Sequence, residues 1–248
     1  MVLRGIRIAE VGVRFSLGPL MSLPQHIVIV PDGNRRWAKN KRKPTEFGHL
    51  EGAKSTERVF RTALELGIPY LTFWGCSVAN VTERPKSEIR ALFFLFEQQF
   101  KKLLKAKELE GVRVRALGRW EEIFPEKTKK PLRELIGKTQ KNKKFNLTFL
   151  LAYDGRDEMV AAVRSIKSKK GAKVDRALIK DNLWTRDLPP VDLVIRTGGQ
   201  PHWSAGLMMW DVAEAQLHFT ETLWPEFSPQ EFSSIVSGFG EAERRYGK

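Results

Sequence analysis

Asp32, Gly33, Asn34, Arg35 and Arg36 follow one another one proline, Pro31, behind the apolar run "HIVIV" at residues 26 to 30, with Trp37 next in line. A carboxylate, an amide and two guanidinium groups at the mouth of a strand suit an anionic ligand. An aspartate just past a strand can hold a divalent cation or cap the following helix. A glycine permits a tight turn, and two arginines at a helix start meet a phosphate together with free backbone N–H groups. "RTGG" at 196 to 199 has a similar make-up. Either group alone reads as an ordinary turn. Brought together at two strand ends of one sheet, they describe a diphosphate site with arginines on two sides and exposed backbone amides between.

The elements that must position these groups are legible as short β-branched or aromatic runs alternating with helix-period segments. The strands are expected at His26 to Val30, Tyr70 to Trp74, Val112 to Leu117, Asn146 to Leu151, Leu193 to Arg196 and Gln216 to Phe219. That alternation predicts a single α/β domain over residues 22–248, with a central, mainly parallel six-stranded sheet flanked by helices. "HIVIV" and "LTFLLA" are continuous apolar runs, as central strands buried on both faces require, whereas "VRVRALG" alternates with Arg113 and Arg115 and suits an edge. Ligands collect at the carboxyl ends of strands in such sheets. Polar residues and glycines recur there four times: after Val30, around Gly75-Cys76-Ser77, at Asp154-Gly155-Arg156, and after Arg196. The segment "SEIRALFFLFEQQFKKLLKAKELEG" predicts a long amphipathic helix through Ile89, Leu92, Phe93, Phe96, Phe100, Leu103 and Leu104, with Phe94 and Leu95 widening its apolar face.

The chain has 248 residues, 42% of them hydrophobic and 29% charged, which is ordinary for a folded globular protein and excludes a disordered one. No apolar run reaches the ~18 residues of a membrane span. A lone cysteine, Cys76, excludes an internal disulfide and suits a reducing cytoplasm. The net charge of +14 calls for an anionic partner: a diphosphate, nucleic acid or an anionic membrane surface touched peripherally. Nucleic acid is not expected, because no aromatic-basic RNA motif or zinc-finger spacing is present. Residues 1–21 read as an N-terminal extension of no clear role.

"HIVIVPDGNRRWAK", "FGHLEGAKS", "SVANVTERP", "PPVDLVIRTGG" and "FTETLWPEF", in this order, resemble the cis-prenyltransferases of the undecaprenyl diphosphate synthase family. The resemblance implies a non-Rossmann α/β fold with an elongated hydrophobic tunnel, a homodimer, and condensation of isopentenyl diphosphate onto an allylic diphosphate with a new cis double bond. It implies Asp32 as a magnesium-binding catalytic residue, with Asn34 and His49 also catalytic. It further implies that Gly33, Arg35, Arg36 and Trp37 contact the allylic diphosphate. Ser77, Asn80 and Arg84 would lie on a mobile loop, and Arg196 and Ser204 in the isopentenyl diphosphate site.

Several positions depart from the family pattern. Thr45 stands where an arginine usually precedes the Gly-His pair, and His202 where an arginine usually clamps isopentenyl diphosphate. Histidine is a weaker, pH-dependent substitute. Gln216 replaces the glutamate that commonly binds metal, and an amide is a poorer magnesium ligand than a carboxylate; Glu214 or Asp211 are the alternatives nearby. The short span from Arg84-Pro85 to "VRVRALG" points to short or medium products, lipid-carrier precursors, with Gly75 permitting elongation and Phe93, Phe94 and Phe96 opposing it. Two other readings remain: an irregular coupling enzyme, and a non-catalytic partner subunit of a cis-prenyltransferase.

Overall fold

The computed structural model describes residues 23–241 apart from 170 and 172, so residues 1–21 lie outside the described part. Six strands form one sheet: β1 His26–Val30, β2 Tyr70–Ser77, β3 Val112–Leu117, β4 Phe145–Tyr153, β5 Leu193–Arg196 and β6 Gln216–Phe219. The order is β3-β4-β2-β1-β5-β6 with every pairing parallel, as the sequence pattern predicts. β2 and β4 run two to three residues past their expected ends. The helices are α1 Asn34–Asn40, α2 Thr45–Glu65, α3 Val78–Thr82, α4 Lys86–Leu104, α5 Trp120–Ile123, α6 Glu126–Thr139, α7 Gly155–Lys167, α8 Arg176–Asn182 and α9 Pro229–Glu241.

The period of two along each strand divides the core. Ile27 and Ile29 of β1, with Leu71 and Phe73 of β2, meet α2, α4, α6 and α9 through Val59, Phe60, Phe100, Leu135 and Phe232. Val28, Trp74, Leu150 and Val194 face the other way, under residues 188–212. β3 lies at the edge, and its burial alternates at the two arginines. From β1 the chain builds outward through β2 and β4, then returns to place β5 on β1's other side. The β1/β5 boundary is therefore the point where strand order reverses, and a ligand site is expected at its carboxyl end.

A register shift interrupts β2 between Trp74 and Cys76. Gly75 sits in it, where a Cβ would meet Leu151 Cδ2 at 2.6 Å, so any side chain here would have to displace Leu151 of β4. Two more glycines set the approach of α1 to α2. A Cβ on Gly48 would lie 2.1 Å from the Asn34 carbonyl oxygen, and one on Gly52 2.2 Å from the Asn34 Oδ1.

His26 is fully buried at the start of β1, with Nδ1 3.0 Å from the Pro189 carbonyl and Nε2 2.8 Å from Thr72 Oγ1. Burial lowers its pKa from 6.5 to about 4. The unfolded chain thus takes up this proton first, so the stabilisation is complete above pH 6.5 and is lost as pH falls from there towards 4. Urea unfolding at pH 7 and pH 4 is expected to show this loss, of order 3 kcal/mol from this group, and His26→Gln to flatten the slope over that window; an unchanged slope contradicts it.

Candidate functional site

Asp32 is delivered to the carboxyl edge by β1 and held there by its backbone. Its N–H donates to Thr197 Oγ1 at 3.0 Å, that hydroxyl donates to the Asp32 carbonyl at 2.8 Å, and Trp224 N–H donates to the same carbonyl at 3.0 Å. Gly33 follows at φ 111°, a conformation glycine adopts freely, and sets the start of α1. The Asp32 carboxylate then meets two guanidinium groups, Arg196 Nη2 at 3.0 Å and Arg36 Nη2 at 3.4 Å. Gly198, at φ 86°, leaves the space that Arg36 occupies: a Cβ there would be 2.5 Å from its Nη2. The two groups singled out in the sequence are therefore in direct contact.

Arg196 is almost completely buried. Its Nη1 donates to the His202 carbonyl at 3.0 Å and to Ser204 Oγ, while Ser204 Oγ lies 3.2 Å from His202 Nε2. His202 thus joins the arginine cluster through Ser204, in the segment the sequence marks as altered. Arg196 Nε has no protein partner.

On the other side of α1, Asn34 and His49 line the mouth of a cavity of about 180 Å³. The close glycine contacts fix Asn34, whose Oδ1 is buried without a partner, as is His49 Nε2. Glu88 Oε1 stands 3.7 Å from that nitrogen, beyond hydrogen-bond range, and accepts from Arg84 Nη1 at 2.8 Å. Burial first, and Arg84 second, hold the His49 pKa below the ordinary imidazole value against the pull of Glu88. The ring is therefore neutral at pH 7. Inward from this mouth the walls are apolar: Phe73, Leu95, Phe96, Phe100 and Phe149, with Gly75 opposite Phe96. This is the expected tunnel. Phe93 packs on Phe124, 4.8 Å between ring centroids, and Phe94 is 62% exposed, so of the three phenylalanines expected to limit elongation only Phe96 lines it.

Other expected residues are placed differently. Ser77 and Asn80 form a capping box on α3, with Asn80 N–H on Ser77 Oγ at 3.1 Å and Ser77 N–H on Asn80 Oδ1 at 3.2 Å; the expected loop is helical here. Trp37 turns from the cavity, donating its indole N–H to Glu226 at 2.9 Å and stacking on Phe47. Gln216 pairs with Leu193 at the start of β6, while the site lies beyond Arg196, three residues or ~10 Å along the strand. Parallel register therefore removes it from the Asp32 cluster. Asp211 is buried in an ion pair with Lys180, which removes it too, and Glu214 is exposed. Thr197, Glu88 and Trp224 were not singled out by the sequence. The spacing Arg84-x-x-x-Glu88 is the available signal for the second; Thr197 lay within "RTGG" and Trp224 within "LWPEF".

A family model for undecaprenyl diphosphate synthases of the prenyltransferase type matches residues 30–247. The chain belongs to this family. A geranylgeranyl-diphosphate-specific tritrans,polycis-undecaprenyl-diphosphate synthase of Thermococcus kodakarensis is 37% identical over 92% of this chain and 88% of its own length. The farnesyl-diphosphate-specific ditrans,polycis-undecaprenyl-diphosphate synthase of Escherichia coli is 34% identical over 90% and 89%. Among solved structures, lavandulyl diphosphate synthase from Lavandula x intermedia in complex with dimethylallyl diphosphate superposes with a TM-score of 0.84 at 26% identity, covering 91% of this chain and 99% of that one. The fold and the family expected from the sequence are thus those the comparisons show.

Replacing Glu88 by glutamine removes the negative charge that supports protonation of His49. The His49 imidazole followed by NMR titration is expected to move to still lower pKa in Glu88→Gln; a rise would contradict the arrangement.

Proposed function

We propose that the protein is a magnesium-dependent cis-prenyl chain-elongating transferase, condensing isopentenyl diphosphate with an allylic diphosphate. One observation carries this reading beyond family membership. Of the five buried side-chain polar atoms without partners among the described residues, Asn34 Oδ1 and His49 Nε2 belong to residues that line the apolar tunnel, and Arg196 Nε belongs to the guanidinium that holds Asp32. Each unpaired group costs about 1–3 kcal/mol, a cost a polar ligand headgroup removes. A diphosphate with a hydrocarbon tail has both parts.

In the reaction the allylic C1–O bond breaks and its electron pair leaves with the diphosphate. Arg36, paired with Asp32 at the start of α1, stands where that negative charge develops. The C4 of isopentenyl diphosphate bonds to the allylic carbon, and a proton from its C2 passes to a base at the same mouth, where His49 is held neutral. Phe73, Phe96 and Trp224 keep water from the cation. Among the described residues no group of three His, Cys, Asp or Glu side chains could hold a metal. Asp32, one-third exposed, fits a magnesium ion that draws its remaining ligands from diphosphate oxygens. Magnesium so held would neutralise charge on the leaving group.

Arg196, Ser204 and His202 are assigned to isopentenyl diphosphate, and Gly33, Arg35 and Arg36 to the allylic diphosphate. Arg84, released from Glu88, would join them. A homodimer through edge strand β6 fits the outward Leu217 and Phe219, 47% and 38% exposed. No helix among the described residues is long and apolar enough to cross a membrane. Peripheral contact with an anionic bilayer fits exposed Phe47 and Leu50 beside Lys41 and Lys43. The rewritten "GGQPHWS" segment favours one second reading, irregular coupling of allylic diphosphates.

Purified protein incubated with magnesium, labelled isopentenyl diphosphate and dimethylallyl, geranyl, farnesyl or geranylgeranyl diphosphate is expected to give elongated cis chains. Branched products without label would support irregular coupling, and binding without turnover a non-catalytic subunit. Asp32→Asn is expected to lower kcat by about 10²–10³ with the circular dichroism spectrum unchanged. His202→Arg is expected to lower KM for isopentenyl diphosphate about tenfold with little change in kcat, since charge-assisted hydrogen bonds are the stronger ones.

A further inference from the structure

The apolar tunnel ends in charge. At the end away from His49 its lining includes Glu57 and Arg61 of α2, Lys102 of α4, and Glu108 in the 3-10 turn Lys107–Leu109. These four side chains are linked across three elements. Lys102 Nζ donates to Glu57 Oε2, Arg61 Nη2 donates to Glu57 Oε1 at 2.9 Å, and the same nitrogen pairs with Glu108 Oε1 at 2.9 Å. The Lys102 pair is the first cause lowering the Glu57 pKa, so Glu57 is ionised at neutral pH. Along α2, Glu57 lies ~12 Å and Arg61 ~18 Å from His49. A hydrocarbon anchored by its diphosphate at the mouth runs between phenylalanines and then meets this collar.

We propose that the Glu57–Lys102–Arg61–Glu108 collar sets the length at which chain growth stops. This rests on the elongating reading above. To pass, the tip of the chain must part α2 from α4 at the Glu57–Lys102 bridge, or press against charged groups and displace their water, which apolar contact does not replace. The pairs are half-exposed, 31% and 62% for Glu57 and Lys102, and pairs of this kind contribute little each. The collar is therefore a bias rather than a wall: it slows the condensations that carry the tip beyond it and leaves the earlier ones untouched.

The test compares product lengths from the wild type, Lys102→Met and Lys102→Arg with one allylic primer and labelled isopentenyl diphosphate, the chains dephosphorylated and sized by reversed-phase chromatography. Lys102→Met keeps the bulk and removes the charge; it is expected to raise the share of chains longer than the wild-type limit about 2- to 5-fold, with the first condensation rate unchanged. Lys102→Arg keeps the pair with Glu57 and is expected to retain the wild-type distribution. Glu57→Gln reads out the same bridge from α2 should Lys102→Met fold poorly. Identical lengths in the wild type and the charge-removing variants overturn the collar while leaving the enzymatic reading standing. No elongated product from the wild type overturns that reading first, and the collar with it.

Discussion

The contact between Asp32 and Arg196 is the constraint on which the site depends. A carboxylate and a nearly buried guanidinium meet because β1 and β5 are parallel neighbours whose last residues, Val30 and Arg196, lie in register. Neither group alone is well placed: the arginine would be an unpaired charge in a desolvated position, and the aspartate would be free to turn to solvent. Thr197 and Trp224 hold the Asp32 backbone from two sides, so the pair is fixed from below as well as across. An anion arriving here finds a preorganised guanidinium instead of one that must be recruited.

Trp224 ties this pair to the tunnel. Its backbone N–H reaches Asp32, its indole N–H donates to the Gly52 carbonyl of α2 at 2.8 Å, and its ring packs on Phe73 and Phe227. The polar edge and the greasy wall are thus built on one side chain. Gly48 and Gly52 complete the arrangement by letting α1 lie against α2 closely enough to bury Asn34 Oδ1. A methyl group at either position would have to displace Asn34.

Most of this order was legible in the sequence where local pattern and tertiary role coincide. "HIVIV" is apolar throughout because β1 is central, and four strands have the very bounds their runs suggest. What could not be read was whatever depends on register or on the far end of a side chain. Gln216 stands where the family resemblance implies a metal ligand, yet pairing with Leu193 puts it at the far end of its strand from Asp32 within this chain. Phe93, Phe94 and Phe96 lie within one turn of a helix and so point in different directions; periodicity gave the face, but which phenylalanine meets the tunnel depended on how α4 rolls against α6 and Phe124. Trp37, placed beside two arginines, was drawn away by Glu226, nearly two hundred residues distant.

The tunnel has a polar, fixed end and a charged, yielding one, and on the elongating reading proposed above growth occurs only at the first. New units enter behind the old ones, so the oldest carbon atoms are always the furthest advanced. On that reading such a chamber would behave like a ruler whose zero lies at the Asp32 edge. It registers the total extent of a molecule and keeps no tally of how many additions produced it. A longer starter simply begins further along the scale.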